Sequence, residues 1–319
     1  MGNWWRENIR AARQRGWRAV VILSILGGGV SGLGLAGGLG WGFDLCNHFQ
    51  AQYFVFQALC VAGLLALRRW CWALVPALLL AMPALRLAPY YRPLPDESPL
   101  PRHLRVLSFN VLSANTCYAA TLRWIQQSDP DVAFFSEVTP AWAAALEPLK
   151  ARMPYFVVRE RADNFGLAVY SKHPIIEQIL VPSTLLEVAI LQLTLGIDGN
   201  QVVFVGMHPM APLCPAYARD RDASIKQQAA RMRHETRPLI VAGDFNATPW
   251  SHAMTPLIEL GLRDTMLGRG FSATWQRRIP LFAIPIDHIL LRGSIRIRGR
   301  WTGPDLGSDH RPVMADLTW

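Results

Sequence analysis

Between Ala19 and Phe43 the chain carries no charged residue. About 20 consecutive apolar residues suffice to carry a helix across a bilayer, and few soluble cores can absorb a run of this length. Two further apolar runs follow, Ala51 to Leu67 and Cys71 to Pro89. The sequence therefore predicts three membrane-spanning helices, at about 19–43, 51–67 and 71–88. A cleaved leader is the rival reading of the first run, but that run is too long and two more come after it. Arg86 lies near the end of the third, where a long side chain can reach the headgroups. Gly28 and Gly32, then Gly34, Gly38 and Gly42, repeat at four-residue spacing, which lets helix backbones approach closely. Packing against the other two runs explains this more simply than dimerisation.

The basic residues orient this region. Arg6, Arg10, Arg13, Arg15 and Arg18 precede the first run, and Arg68 and Arg69 separate the second from the third. Asp44 to Gln50 holds no Lys or Arg. The N-terminus is expected in the cytoplasm, and everything after about residue 89 in the extracytoplasmic or periplasmic space, as a multi-pass protein of the cytoplasmic (inner) membrane. Trp4, Trp5, Trp17, Trp41, Trp70 and Trp72 sit near the expected span ends, as interfacial aromatics do. The proline-rich segment 89–102 reads as a stiff linker that ends the last helix. It divides a membrane anchor, 1–88, from a catalytic domain, 103–319.

In that domain short apolar runs alternate with few helical patterns. "LRVLSFNV", "DVAFFSEV", "YFVVRE", "GLAVYSK", "AILQLTLGI", "QVVFVGMH", "PLIVAGDFN", "IDHILLRG" and "VMADLTW" read as strands, and "AATLRWIQQSD" and "AYARDRDASIKQQAARMRHET" as helices. There are too few helices to cross over between every pair of strands. The expected fold is α/β, a four-layer α/β/β/α sandwich of two packed mixed sheets flanked by helices. The second helix carries Arg219, Arg221, Lys226, Arg231 and Arg233, a run that reads first as a solvated face. The five cysteines show no metal-binding spacing, and Cys117 and Cys214 are the only two in this domain.

Several strands end in a residue that a core would not select. Asn110 closes "LSFN", Glu137 follows "FFS", His208 follows "VFVGM", and Asp244 and Asn246 close "LIVAGDFN". Asp287 interrupts "IPIDHILL", and Asp309 and His310 precede the last strand in "GSDHRPV". Burying unpaired carboxylates costs several kcal/mol. These groups are therefore either scattered over the surface or gathered around something that neutralises them, such as one cation with a histidine or two. Carboxylate and carboxamide oxygens suit Mg²⁺, Mn²⁺ or Ca²⁺, whereas zinc would want more His or Cys.

The ordered set "SFN", "SEV", "GMHPMAP", "AGDFNATP", "IDHIL" and "GSDHRPV" resembles the endonuclease/exonuclease/phosphatase superfamily, in a membrane-anchored bacterial form. The resemblance spans nearly the whole soluble domain. It implies a Mg²⁺- or Mn²⁺-dependent phosphoric ester hydrolase with Glu137 as principal metal ligand, helped by Asn110 and Asp309. It also implies that Asp244 aligns or deprotonates the attacking water and that Asn246 holds a phosphate oxygen. His310 would meet the scissile phosphate, with Asp287 fixing its orientation. His208 resembles the histidine that deoxyribonuclease-like and sphingomyelinase-like members place near the leaving group. Leu112 stands where abasic-site endonucleases carry an acid, which argues against that branch. Asn164, near the start of a strand, is a further candidate substrate contact, though a turn role suits it equally. His288 should point to the opposite face of its strand from Asp287.

Three functions compete at this level. One is a phosphoesterase acting on a phosphate ester near the membrane, lipid-linked in the simplest case. The second is an extracytoplasmic nuclease, disfavoured because the domain lacks a dense Lys/Arg tract. The third is a non-catalytic membrane-bound scaffold, against which the intact motif set argues.

Overall fold

The computed structural model describes residues 2–94, 100–182 and 188–319, with side-chain burial from residue 15 onward. The chain divides into two compact units, Met1–Pro89 and Tyr90–Trp319.

The first unit is helical. Helix α1 spans Gly2–Leu33 and tightens into a 3₁₀ turn over Gly34–Leu39. Short helix α2, Trp41–Leu45, turns the chain into α3, Gln50–Ala66, and α4 begins at Trp70 and runs to Tyr91. Some of the glycines serve packing within the chain, whereas Gly32 and Gly42 face open space. A methyl group on Gly27 would strike Phe56, one on Gly28 would strike Leu79, and one on Gly34 would strike Asn47. Ser24 Oγ donates to Gln57 Oε1 at 2.7 Å, a buried polar tie between α1 and α3.

Three expectations for this unit change. Among the described residues only Arg15–Leu39 and Trp70–Tyr91 are long and apolar enough to cross a membrane, so two spans of full length replace the three expected. The middle helix has 17 residues, roughly 25 Å at 1.5 Å per residue against a hydrocarbon core of about 30 Å. In addition, α4 continues through Pro89, with Pro76 and Pro83 also inside it. Each proline removes one hydrogen-bond donor, a loss that apolar surroundings and local adjustment of the helix can absorb. Arg86 does not reach outward as expected: its Nη1 donates to Asn47 Oδ1 at 2.5 Å.

The second unit contains two six-stranded sheets. Its elements, in chain order, are β1 His103–Asn110, α5 Tyr118–Ser128, β2 Val132–Ser136, α6 Pro140–Leu146, β3 Tyr155–Arg159, β4 Leu167–Ser171, β5 Ile175–Pro182, β6 Ala189–Ile197, β7 Asn200–Gly206, α7 Pro215–Arg231, β8 Leu239–Asp244, α8 Thr255–Glu259, β9 Arg263–Asp264, β10 Asp287–Arg292, β11 Arg296–Thr302 and β12 Val313–Thr318. One sheet has the order β11-β12-β1-β2-β4-β3, the other β5-β6-β7-β8-β10-β9. Each is mixed, with one parallel pair at its centre, β1–β2 and β7–β8.

Alternation puts one face of each sheet into a shared core. Val106, Phe134 and Val169 from the first sheet meet Leu193, Phe204, Ile240 and Ile289 from the second. The opposite faces are covered by helices. Phe109, Phe135 and Tyr170 pack with Ile125 of α5 and Trp142 of α6, while Val205 and Val241 pack with Ile225 of α7 and Leu257 of α8. The result is two packed mixed sheets between helical layers, as the strand and helix pattern implied. Strands β5, β9 and β11, all at sheet edges, escaped the sequence reading: β5 is mostly exposed, β9 has two residues, and three arginines interrupt β11.

Register places the polar strand ends together. In the first sheet Asn110 at the end of β1 lies beside Ser136 at the end of β2. In the second, Asp244 at the end of β8 faces Asp287 at the start of β10. The parallel centres of both sheets end at the same cluster of buried polar side chains.

Candidate active site

Sharp local turns aim the side chains. Glu137 follows β2 at φ 61°, and Asn246 follows β8 at φ 50°, left-handed conformations uncommon for residues other than glycine. Gly243 stands at φ 149°, where an added Cβ would lie 1.9 Å from the Met207 carbonyl oxygen. Only glycine lets β8 pass that close to the end of β7 and still deliver Asp244. The loop before β12 is pinned to β1, since Ser308 Oγ donates to the Asn110 carbonyl at 2.8 Å and accepts from the His310 N–H at 3.0 Å.

The side chains form one network centred on Asp244. Asn110 Nδ2 donates to Glu137 Oε1 at 3.0 Å and to Asp244 Oδ2 at 3.1 Å. The same Asp244 oxygen lies 3.5 Å from His208 Nε2 and 3.6 Å from His310 Nε2. His310 Nδ1 is bonded to Asp287 Oδ2 at 2.9 Å. Asp244 Oδ1 accepts from the Asn246 N–H at 2.8 Å, and Asn246 Nδ2 donates to the Pro209 carbonyl. Asn110, Glu137, His208, Asp244, Asp287 and His310 are all buried.

Asp309 joins through a neighbour: Trp275 Nε1 donates to its Oδ2 at 3.0 Å. Asn164 is exposed at the rim and accepts from Ser113 Oγ at 2.7 Å. The Ser113 N–H in turn donates to Glu137 Oε2 at 3.0 Å. His288 is turned to the other face, as alternation requires, between Asp264 at 2.7 Å and the Ala247 carbonyl at 2.9 Å. Leu112 takes a left-handed φ of 61° and donates its N–H to Asn110 Oδ1.

The electrostatics follow from burial and proximity. Burial works against the charge on Asp244, but His310 and His208 beside it bring its pKa down to about 2. Burial likewise opposes protonation of His310, yet Asp287 and Asp244 push its pKa up to about 10. His208 is also raised against its burial, by Asp244 and then Glu137. Asp287 is raised by burial, with His310 pulling it back and Asp244 adding to the rise. The shifts on Asp287 and His310 contend for one proton along the Nδ1–Oδ2 bond. Asp244 facing the far nitrogen decides it in favour of the ring.

Two groupings could hold a cation. Asp244, Asp287 and His310 offer ligand atoms within 4.8 Å of one another. There the His310 ring, its pKa raised by Asp287 and Asp244, competes with a cation for the same carboxylates. Glu137 differs, because both its oxygens are oriented by neutral donors, the Asn110 amide and the Ser113 N–H. Asp309 Oδ1 is shielded from solvent with no hydrogen-bond partner among the described residues. Buried carboxylate oxygens without cationic partners suit a hard divalent ion, so Glu137 and Asp309 each have the donor chemistry to ligate one.

Sequence reasoning missed four supports. Ser308 was visible in "GSDH", but a serine there reads as turn chemistry. Trp275 lies in a loop with no periodic signal. Phe165 places its ring 5.8 Å from that of His208, at the cleft wall. Arg221, expected on a solvated face, is 1% exposed and donates through Nη1 to the Asn246 carbonyl at 2.9 Å, while Arg219, Lys226, Arg231 and Arg233 are exposed. Cys117 and Cys214 are both free thiols.

Comparison with known proteins places this geometry. A model of the Endonuclease/Exonuclease/phosphatase family matches residues 107–310. No curated protein sequence matches. Among solved structures, humanised D. rerio TDP2 aligns over 68% of this chain and 99% of its own, at 16% identity and a TM-score of 0.58. The human Nocturnin catalytic domain with bound sulfate aligns over 70% and 97%, at 18% identity and 0.56. Sphingomyelinase C from Streptomyces griseocarneus aligns over 67% and 99%, at 20% identity and 0.50. At these identities the likeness is one of fold.

Proposed function

The chain belongs to the endonuclease/exonuclease/phosphatase family, and from that premise we propose that it is a divalent-metal-dependent phosphoesterase that hydrolyses a lipid-linked phosphate ester at a membrane face. The observation that carries the catalytic reading is the meeting of Asn110, His208 and His310 on the one oxygen of Asp244, with Glu137 tied in through Asn110.

Glu137 and Asp309, with Asn110 beside them, would hold the ion, Mg²⁺ or Mn²⁺ by donor type. Bound there, it supplies Lewis-acid stabilisation of phosphate charge. A carboxylate held near pKa 2 is a weak base at neutral pH. Asp244 therefore acts chiefly by orienting the water. His310, kept protonated by Asp287, places positive charge against the scissile phosphate, the kind of preorganised stabilisation that phosphoryl transfer uses. His208, walled by Phe165, stands where a proton could pass to the leaving oxygen. Asn246 has its side-chain N–H directed to Pro209, so it helps to shape the phosphate pocket and keeps a second N–H for a phosphate oxygen.

The full chain should cleave bis(4-nitrophenyl) phosphate or 4-nitrophenyl phosphate with Mg²⁺ or Mn²⁺, and Asp244→Asn should not. A wild type as inert as the variant on every ester and metal tried would leave the scaffold reading instead. A nuclease reading is favoured by one neighbour, D. rerio TDP2, whose structure was solved with a single-strand DNA product. Parallel assays on DNA, RNA and phospholipid vesicles separate the two.

The membrane reading is supported by the two long apolar helices. The side on which the catalytic unit lies depends on α3. The arginine clusters in the first half of α1 and after α3 are both expected in the cytoplasm from their charge. Helices α1 and α3 are then outward and return legs, α3 crossing by local thinning of the bilayer, and α4 delivers the catalytic unit outside. A C-terminal phosphatase fusion should be active and a C-terminal green fluorescent protein dark. The reverse pattern places the unit in the cytoplasm.

A further inference from the structure

We propose that the 276–283 loop is a membrane-seating element, which lays an apolar tip into the interface of an anionic bilayer and holds the catalytic cleft against lipid. This deepens the reading above and rests on it.

The root of the loop is part of the site. Trp275 and Ile284 bridge one another, Trp275 also bridges His310, and its indole holds Asp309. Beyond that root the chain turns outward through a short 3₁₀ turn, Pro280–Phe282. Ile279 is 48% exposed, Leu281 72% and Phe282 51%. Contiguous exposed apolar side chains rooted beside a polar cleft mark an interaction surface rather than a packing accident.

Charge selects the partner. The loop sequence "QRRIPLFA" contains two arginines and no acid. Arg277 is taken up by Asp305 and the Ser308 carbonyl. Arg278 and Arg311 are exposed and form no ion pair among the described residues. The Arg311 N–H is bonded to the Thr274 carbonyl at the loop's root. An apolar tip with a basic collar fits anionic headgroups over an acyl boundary. Two long apolar helices in the same chain would keep lipid at high local concentration, which favours a bilayer over a diffusing protein as the surface met.

A second loop agrees. Leu213, 77% exposed, lies in the segment that carries His208 away from β7. The pairings Gly206–Ala242 and Asp244–Asp287 put that segment and the 276–283 loop at the same end of the second sheet.

The test uses the full-length chain with its five cysteines changed to alanine. An environment-sensitive fluorophore is placed at Leu281→Cys or, for reference, at Asn200→Cys, an exposed position at the far end of β7. The protein is reconstituted in vesicles of phosphatidylcholine with or without phosphatidylglycerol. Position 281 should shift to the blue and be quenched by brominated acyl chains, more strongly with phosphatidylglycerol and less at high salt, while position 200 stays water-like. Water-like emission at 281 in both compositions overturns the proposal, whether the loop is bare or waits for a protein. In an otherwise unaltered chain, Ile279→Asp with Leu281→Asp should lose about tenfold on a phosphodiester presented in vesicles, about 1.4 kcal/mol, and keep its rate on bis(4-nitrophenyl) phosphate. Equal loss on both substrates, or on neither, also overturns it. A wild type inert toward both substrates would sink the catalytic reading and leave the fluorescence to decide the loop.

Discussion

His310 is bonded through Nδ1 to Asp287 Oδ2 at 2.9 Å, and that one bond fixes which nitrogen faces Asp244. It also keeps the ring charged, because Asp287 and Asp244 outweigh the burial that opposes protonation and carry the pKa up to about 10. A group raised in this way holds its proton below that pKa and loses it as the pH climbs through it. Asp287→Asn keeps the shape but removes a charge. The high-pH limb of the rate profile should move toward neutrality, and kcat should fall by about 10²–10⁴. An unchanged limb with a reduced rate would mean that Asp287 acts only as a packing group.

Glu137 has two oxygens held by neutral donors and no cationic side chain among its hydrogen-bond partners. Glu137→Gln should therefore act on metal affinity before anything else. The Mn²⁺ concentration for half-maximal activity should rise by at least about tenfold, and Mn²⁺ binding followed by electron paramagnetic resonance should weaken in parallel. Removal of metal from the wild type with a chelator should abolish turnover, and added Mg²⁺ or Mn²⁺ should restore it. If Asp287→Asn weakened the metal and Glu137→Gln did not, the ion would belong to the Asp244, Asp287 and His310 grouping instead.

The sequence exposed this site because each polar group ends or interrupts an apolar run, and a run delivers its last side chain to the sheet's edge. Asn110, Glu137, His208 and Asp244 were legible for that reason, and the pairing of their strands brought them together. Trp275 and Ser308 were not legible, since loop residues are positioned by hydrogen bonds that leave no periodic trace. Arg221 misled because a charged residue on a polar helix normally faces water, whereas here the Asn246 carbonyl gives it a buried partner. Edge strand β5 carried little signal because most of its side chains meet solvent, and β11 because three arginines break up its apolar positions. In the first unit, hydropathy located all three main helices, and the run 51–67 already had the 17-residue length at which α3 closes.

Gly243→Ala should be among the most damaging small substitutions in the catalytic unit. Its Cβ would sit 1.9 Å from the Met207 carbonyl oxygen and 3.1 Å from the Phe134 ring, with φ already at 149°. Backbone cannot yield as a flexible side chain does, so the loss should be on the order of 3 kcal/mol or more. Gly199→Ala is the control. It shares a positive φ, 79°, but meets nothing within 4 Å, and should cost about 1 kcal/mol. Thermal unfolding in detergent should rank them in that order. Equal shifts would mean that φ alone, and not the approach of β8 to the end of β7, decides the cost.

His288 sits between two acceptors, Asp264 Oδ2 at 2.7 Å and the Ala247 carbonyl at 2.9 Å, so both ring nitrogens must donate and the ring must carry charge. Burial opposes that charge, but Asp264 raises the His288 pKa. Burial opposes the carboxylate too, and His288 brings Asp264 below its ordinary value. The two shifts bound a pH window. The contribution from His288 is complete below its unfolded pKa of about 6.5 and is lost as pH rises through the higher folded value, while that from Asp264 is complete above about 3.9 and is lost as pH falls. The pair should therefore stabilise the fold most between about pH 4 and 6.5. His288→Gln should lower Tm more at pH 6 than at pH 9, with Asp264→Asn following the same trend. Since His288 adjoins Asp287 and holds Ala247 beside Asn246, the variant should also reduce kcat. A Tm difference independent of pH would show the ring to be neutral and one of its two contacts to be no hydrogen bond.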